Sequence, residues 1–457
     1  MVEKTKSFFE RDLPEKISRF LFGWKKESTA SRFAWLTVAI VCASLVMNYC
    51  FTTLPIPCTL KLGIFSTSNW NVPQSETYVQ IDALIERFEE ANPGVYVEYV
   101  SGIIKKDYSD WLNDQIVRGE CPDVFLILDD DFNLLSETGA LMNLDRFLDA
   151  DGIDPGTLIF ENALQAGNYK GVQYALPLEC NLDLMFVNID LLKQADIPLP
   201  QQDWTIDDLL AICEKITADT DEDKIVDQFG LSNYDWQNMI EASDLELFDA
   251  NGARINLNDE IFSHLIETYT LLQKYTASSY LAGETKSFDS GSVAFSPLSF
   301  VEYQTYQPYP WKLKKYSTFN WTALPMPSMT RDGKRGTLNT LLMGISGSTR
   351  RPREAWKLLS SFVLDEQSQE DLMQVSSGFS PLKNVTRTME VETPDSFSVN
   401  HLEWSIERSK KSPKFKKFEH AMSLLDGAIN QIIRVNEDER QLLLLECQKD
   451  INNYLEE

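Results

Sequence analysis

The sequence predicts an α/β fold, a sheet covered by helices on its faces. Three observations carry that expectation. Short apolar runs such as "TLKLGIF" (59–65) and "CPDVFLIL" (121–128) have the composition of buried strands. Between them lie segments whose apolar residues recur at helical spacing. The connections are short, as in sheets built from alternating strands and helices. A chain of 457 residues is also long enough for two or three domains with proper cores.

The elements run in order from the first of these strands. After "TLKLGIF", Tyr78, Ile81, Leu84, Ile85 and Phe88 mark a helix, and Asn92-Pro93-Gly94 stops it because proline cannot continue it. "VYVEYV" (95–100) is the next strand, and a helix around Tyr108–Val117 leads into "CPDVFLIL". From Pro177 a long extended run, "LPLECNLDLMFVNIDLL" (176–192), breaks the rhythm. "WTIDDLLAICEKIT" (204–217) is a capped helix, with Cys213 as a small buried thiol on its apolar side. "QFGLSN" is strand-like, "EIFSHLIETYTLLQKY" (260–275) helical, and "GSVAFSPLSF" and "NWTALPMPS" are strands. "TLLMGIS" (340–346) precedes the helix "REAWKLLSSFVL", and the last fifty residues are mostly helical. Trp204 and Trp356 are expected in the core.

The formal charge is −27, yet residues 1–32 carry eight Lys or Arg against five acids. The acidity therefore lies in the remainder of the chain, a surface that repels nucleic acid. Between the basic and acidic parts, Phe33 to Phe51 is apolar over about the ~20 residues a helix needs to cross a bilayer. Basic residues precede it and none comes after it until Lys61, which keeps the amino terminus in the cytoplasm. Neither Cys50 nor Cys58 has the small preceding residue of a lipoprotein signal, so an uncleaved anchor is expected at 33–52, with a linker at 53–58. Seven cysteines show no metal-ligand spacing, and five of them (Cys58, Cys121, Cys180, Cys213, Cys447) would lie outside the membrane.

Catalytic signatures are sparse. His264, His401 and His420 sit in helical context, and no phosphate-binding glycine loop is present. "DDD" (129–131) at a strand end is expected to complement a helix dipole. Aromatic residues instead collect beside short polar ones. Trp70 comes after Ser68 and Asn69, Tyr234 and Trp236 come after "QFGLS", and Tyr303, Tyr306, Tyr309, Trp311 and Trp321 crowd one region. Flat rings beside amides and carboxylates suit a sugar, which stacks its C–H faces and donates its hydroxyl hydrogens.

The order of segments resembles the family 1 extracellular solute-binding proteins, the sugar-type receptors of ABC importers. The resemblance is carried by "IERFEEANPGVYVEYV", "PDVFLIL", "LSETGALMNLDRFL", "YKGVQYALPLECNLDLMFVNIDLLKQADI", "WTIDDLLAICEKIT", "GSVAF", "WTALPMPS", "GISGSTRRPREAWKLLSSFVLDEQSQ" and "SSGFSPLKNV", in that order. It implies a two-lobe, type II periplasmic-binding-protein-like α/β fold: 59–178 with 324–365 as one lobe, 179–323 with 366–457 as the other. By position it implies ligand contacts from Ser68, Asn69, Trp70, Asp129, Asp130, Glu179, Asn181, Asp183, Tyr234, Trp236, Asn339, Ser377, Gly378 and Phe379. For Glu179 an ion pair with a neighbouring Arg or Lys is the alternative, and for Trp70 and Trp236 a place in the core. Where many members show a small residue and then tryptophan after "GSVAF", this chain has "SPLSFVEY", so Phe300 or Tyr303 is expected there. The resemblance also implies a monomer without cofactor that binds a carbohydrate and meets ABC permease subunits; a membrane-tethered sensor is the alternative.

Overall fold

The computed structural model describes residues 36–44, 57–70, 77–249, 252–257, 260–277, 287–306, 319–389, 398–415 and 417–456. The chain divides into two compact units, residues 1–58 with 92–96, and residues 59–91 with 97–457. In the first, residues 36–44 form an exposed helix. The rest of the apolar run lies outside the described residues, as do Tyr309 and Trp311. Among the described residues no helix is long and apolar enough to cross a membrane.

The strands are β1 (Cys58–Gly63), β2 (Val95–Tyr99), β3 (Val124–Ile127), β4 (Asn168–Tyr169), β5 (Val172–Gln173), β6 (Ala175–Asn188), β7 (Phe229–Leu231), β8 (Val293–Ser299), β9 (Trp321–Pro325), β10 (Thr337–Ile345) and β11 (Lys410–Lys411). β4 and β5 form a small hairpin, and the others form one mixed sheet in the order β2-β1-β3-β10-β6-β8-β7. β1 and β3 are parallel, as are β7 and β8, while β10 and β6 run antiparallel to their neighbours in that order. All four residues of β3 are buried, as a strand covered on both faces requires.

β6 organises the molecule. Its first part pairs with β10, from Gly344 opposite Ala175 to Leu338 opposite Leu182. From Asp183 onward it pairs with β8, and from Leu184 with β9 as well. One strand thus changes partners between Leu182 and Asp183, and every residue of it except Asp183 is buried. The extended run expected to reach 192 stops at Asn188. That side chain accepts from the N–H groups of Asp190 (3.1 Å) and Leu191 (3.2 Å), starting a helix at Ile189.

Packing sorts the carboxyl-terminal third. Arg87 of the helix Thr77–Ala91 pairs with Asp371 of the helix Glu366–Val375. Phe379 exchanges backbone hydrogen bonds with Cys180, both 2.9 Å. β11 pairs with β10. The helices Phe418–Ile432 and Glu437–Glu456 pack elsewhere, against the core of Trp236, Phe262, Leu265 and Leu425. Cys213 is buried there, and Trp204 and Trp356 are buried as their sequence context implies. Among the described residues, Cys42, Cys121, Cys180, Cys213 and Cys447 are free thiols.

Candidate functional site

A cleft of about 820 Å³ opens where β6 changes partners. Its walls include Asp129, Asp130, Asp183, Gln237, Glu241, Asn339, Lys410 and Lys414. A smaller recess of about 340 Å³ shares Asp129, Asp130, Asn339 and Glu419 with it, and adds Asn69, Trp70, Lys105, Asn181 and Thr340. Ligand sites of α/β sheets occur at such switch points, where strand ends leave a crevice.

The local fold explains each side chain. Asp129 and Asp130 open the helix Asp129–Glu137 directly after β3, where its unpaired N–H groups favour negative charge. Asn181 and Asn339 are cross-strand partners on β6 and β10, so their amides come to one place. Asn181 Oδ1 accepts from Val301 N at 3.2 Å, which holds it to the turn after β8. Trp70 is oriented from both ends. Its N–H donates to Ser68 Oγ (3.1 Å), and its Nε1 donates to Glu179 Oε1 (2.5 Å).

Glu179 itself does not line the opening. Its Oε1 accepts from Trp70 Nε1, Ser376 Oγ and Gly378 N (3.1 Å), and no arginine or lysine pairs with it among the described residues. Burial pushes its carboxyl up and those three donors pull it back down. Glu179 is therefore a strut that ties the loop after β1 to β6 and to the "SSGFSP" turn. Ser68, Gly378 and Phe379 are buried around that strut, with Ser377 half-buried beside them.

Neither Tyr234 nor Trp236, nor the residues around that strut, line the cleft or the recess. Tyr234 is 3% and Trp236 2% exposed, both within the core, and Trp236 Nε1 donates to Asp426 Oδ1 at 2.8 Å. The capping box of Asp235 and Asn238 sets the phase of the helix Trp236–Glu241, so Trp236 points inward while Gln237, Ile240 and Glu241 reach the cleft. Phe300 and Tyr303 are buried too, Phe300 against Phe379 with ring centroids 5.3 Å apart. Neither lines the opening.

The cleft also contains groups that sequence reasoning passed over. Phe248, Phe415 and Phe418 pack edge to face at 5.1–5.7 Å and present an aromatic corner. Lys414 is paired with Asp129. "SPKFKKFEH", with its alternating aromatic and basic residues after a proline, was the available signal, but in sequence it reads as the approach to a tail helix. Lys105 Nζ donates to Asn69 O at 2.6 Å.

Burial and like charge shape the electrostatics. The Asp130 carboxyl is pushed up to about 6, first by burial and then by the neighbouring Glu419 and Asp129. Burial also raises Asp183 and Glu241, with Glu302 adding to the first and Asp183 to the second. Glu241 Oε2 has no hydrogen-bond partner among the described residues. Burial lowers Lys105 and Lys410. None of the three histidines lines the cleft or recess. The arrangement is rich in hydrogen-bonding groups and aromatic surface. Elsewhere, Asp219, Asp221 and Asp223 bring carboxylates together, and these accept from the N–H groups of their own turn at 2.7–3.1 Å.

A family model described as "Bacterial extracellular solute-binding protein" matches residues 83–397. Among solved structures, the sugar-binding protein MalE from Xanthomonas citri is similar at a TM-score of 0.70 and 16% identity, over 87% of this chain and 97% of that one. An ABC substrate-binding protein from Listeria monocytogenes, solved in complex with cycloalternan, matches at 0.63 and 18% identity, over 87% and 99%. The cyclic α-maltosyl-1,6-maltose binding protein from Arthrobacter globiformis matches at 0.64 and 14%, over 88% and 99%. These likenesses show the two-lobe binding-protein fold, and the family is one of binding proteins rather than enzymes. By the length of the match along its sequence, this chain belongs to the bacterial extracellular solute-binding protein family.

Proposed function

We propose that this protein captures an oligosaccharide in the cleft and delivers it to an ABC importer. The observation that carries the reading is the pairing of the Phe248–Phe415–Phe418 corner with amides and carboxylates in one opening of about 820 Å³. That volume falls within the ~300–1,000 Å³ of small-molecule sites. Aromatic edges and faces pack against sugar C–H surfaces, while carboxylates and amides accept hydroxyl hydrogens. The similar solved proteins named above include sugar binders, which supports the same class of ligand.

In this reading Asn69, Trp70, Asp129, Asp130, Asn181, Asp183 and Asn339 touch ligand, and Ser68, Glu179, Ser377, Gly378 and Phe379 support them. The two lobes divide at the partner change in β6, near the boundary expected at 178–179. Segments on the β10 side, including residues 366–389 and 398–411, move together against the helices of residues 418–456. The apolar run at 33–52 tethers the protein with its binding unit outside the cell, and it works as a monomer.

A thermal-melt screen tests this. At least one mono- or oligosaccharide should raise the melting temperature by several degrees at saturating concentration. Stabilisation only by amino acids, polyamines or metal ions would sink the sugar reading. The mass of the mature membrane-associated protein tests the tether, since an uncleaved anchor retains residues 33–52.

A further inference from the structure

The smaller recess deepens the oligosaccharide reading and depends on it. Asp129, Asp130 and Glu419 line the recess with one lysine, Lys105. Lys414 is bonded to Asp129, and Lys105 Nζ donates to the Asn69 carbonyl. Among the described residues, the Asp130 and Glu419 carboxylates have no hydrogen bond or ion pair; each lies within the other's field, with Lys414 in the field of Asp130 and Lys105 in that of both. Thr340 also lines the recess. It is 2% exposed, and its Oγ1 has no hydrogen-bond partner among the described residues. A buried hydroxyl left unpaired destabilises the empty site and rewards a ligand group that bonds it. Trp70, its ring held by the bond to Glu179, flanks the same space.

A neutral hydroxyl could donate to either carboxylate, yet it would leave the like charges of half-buried Asp130 and exposed Glu419 repelling each other. An alkylammonium offers three donors and a positive charge beyond those of Lys105 and Lys414, which face the three carboxylates of Asp129, Asp130 and Glu419, and an indole face adds to its attraction. We propose that the recess takes a sugar unit carrying a protonated primary amine. Its ammonium lies between Asp130 and Glu419, a hydroxyl of the same unit bonds Thr340 Oγ1, and Trp70 covers its C–H face.

Calorimetric titration at pH 7 and low salt tests the proposal on the full chain. The ligands are a glucosamine trimer, its fully N-acetylated counterpart, the glucose trimer of the same linkage, and spermidine as an amine without a sugar. The free-amine trimer should bind about tenfold or more tightly than either neutral trimer, and the gap should narrow as salt is raised. Glu419→Gln, at an exposed position that leaves the fold in place, and Asp130→Asn should each close most of that gap. Thr340→Val should weaken the amine trimer several-fold.

Equal or tighter binding of a neutral trimer, or a gap that survives both carboxylate substitutions, overturns the proposal while leaving the oligosaccharide reading intact. Spermidine binding as tightly as the amine trimer overturns the sugar half of it. If no sugar binds while another solute class does, the oligosaccharide reading fails and the proposal falls with it.

Discussion

Glu179 and Trp236 show how much one side chain's surroundings decide. Both sit among polar and aromatic neighbours in sequence, yet one braces the cleft and the other is core. Trp236→Ala removes a buried indole and its hydrogen bond to Asp426, so it should destabilise the protein by about 3–5 kcal/mol in a denaturant titration. Ligand affinity of the folded fraction should change little, because the ring does not reach the cleft. At Asp130 the expectation concerns pH. A carboxyl raised to about 6 binds its proton more tightly in the folded state, so its contribution to stability falls as pH rises from its ordinary value of about 3.9 to about 6. Above that window the penalty is constant. Asp130→Asn should therefore gain most in melting temperature, relative to the parent, above pH 6, and the gain should shrink towards pH 4. A difference independent of pH across that range would contradict the assignment.

At the scale of elements, the "SSGFSP" turn and β6 are fitted too closely to admit a side chain at Gly378. A Cβ on Gly378 would lie 2.4 Å from Glu179 Oε1 and 2.7 Å from the Cys180 carbonyl oxygen. Gly378→Ala should thus push out the Glu179 strut, loosen Trp70 and weaken ligand binding more than it lowers stability. Tryptophan fluorescence and calorimetry on one sample separate the two effects. The helix Ile206–Ile216 offers a contrast. Thr205 Oγ1 accepts from Asp208 N (3.2 Å) and Thr205 N donates to Asp208 Oδ2 (2.9 Å), a capping box remote from the cleft. Thr205→Ala should cost about 1 kcal/mol of stability and leave affinity unchanged.

At the scale of the molecule, β6 alone carries the sheet across the partner change beside Asp183, and the capture proposed above would turn about it. A ligand drives closure only through contacts made in the closed form. A bound sugar should accordingly reduce the radius of gyration in small-angle scattering, and a variant with Asp183→Asn should need more ligand for the same compaction. An unchanged radius at saturation would mean that capture does not involve closure.

The strands, most helices and the family were legible in the amino-acid order, because period-2 and period-3.6 patterns and turn residues act locally. "VFLI" reads as a strand buried on both faces with no knowledge of its neighbours. The apolar run at 33–52 is likewise a property of composition. Legibility failed where the phase of one helix or the path of the tail mattered. Trp236 faces inward because Asp235 and Asn238 cap its helix at that residue, and one position of rotation would have turned it outward. Lys414, Phe415, Phe418 and Glu419 join Asp129 and Asp130 across nearly 300 residues of chain. The sequence by itself determined which segments are strands, which are helices, and that aromatic, amide and acidic groups are available in a binding-protein scaffold. Only the tertiary structure decided which of them meet in the cleft, because burial and charge proximity depend on packing between segments, which no local pattern encodes.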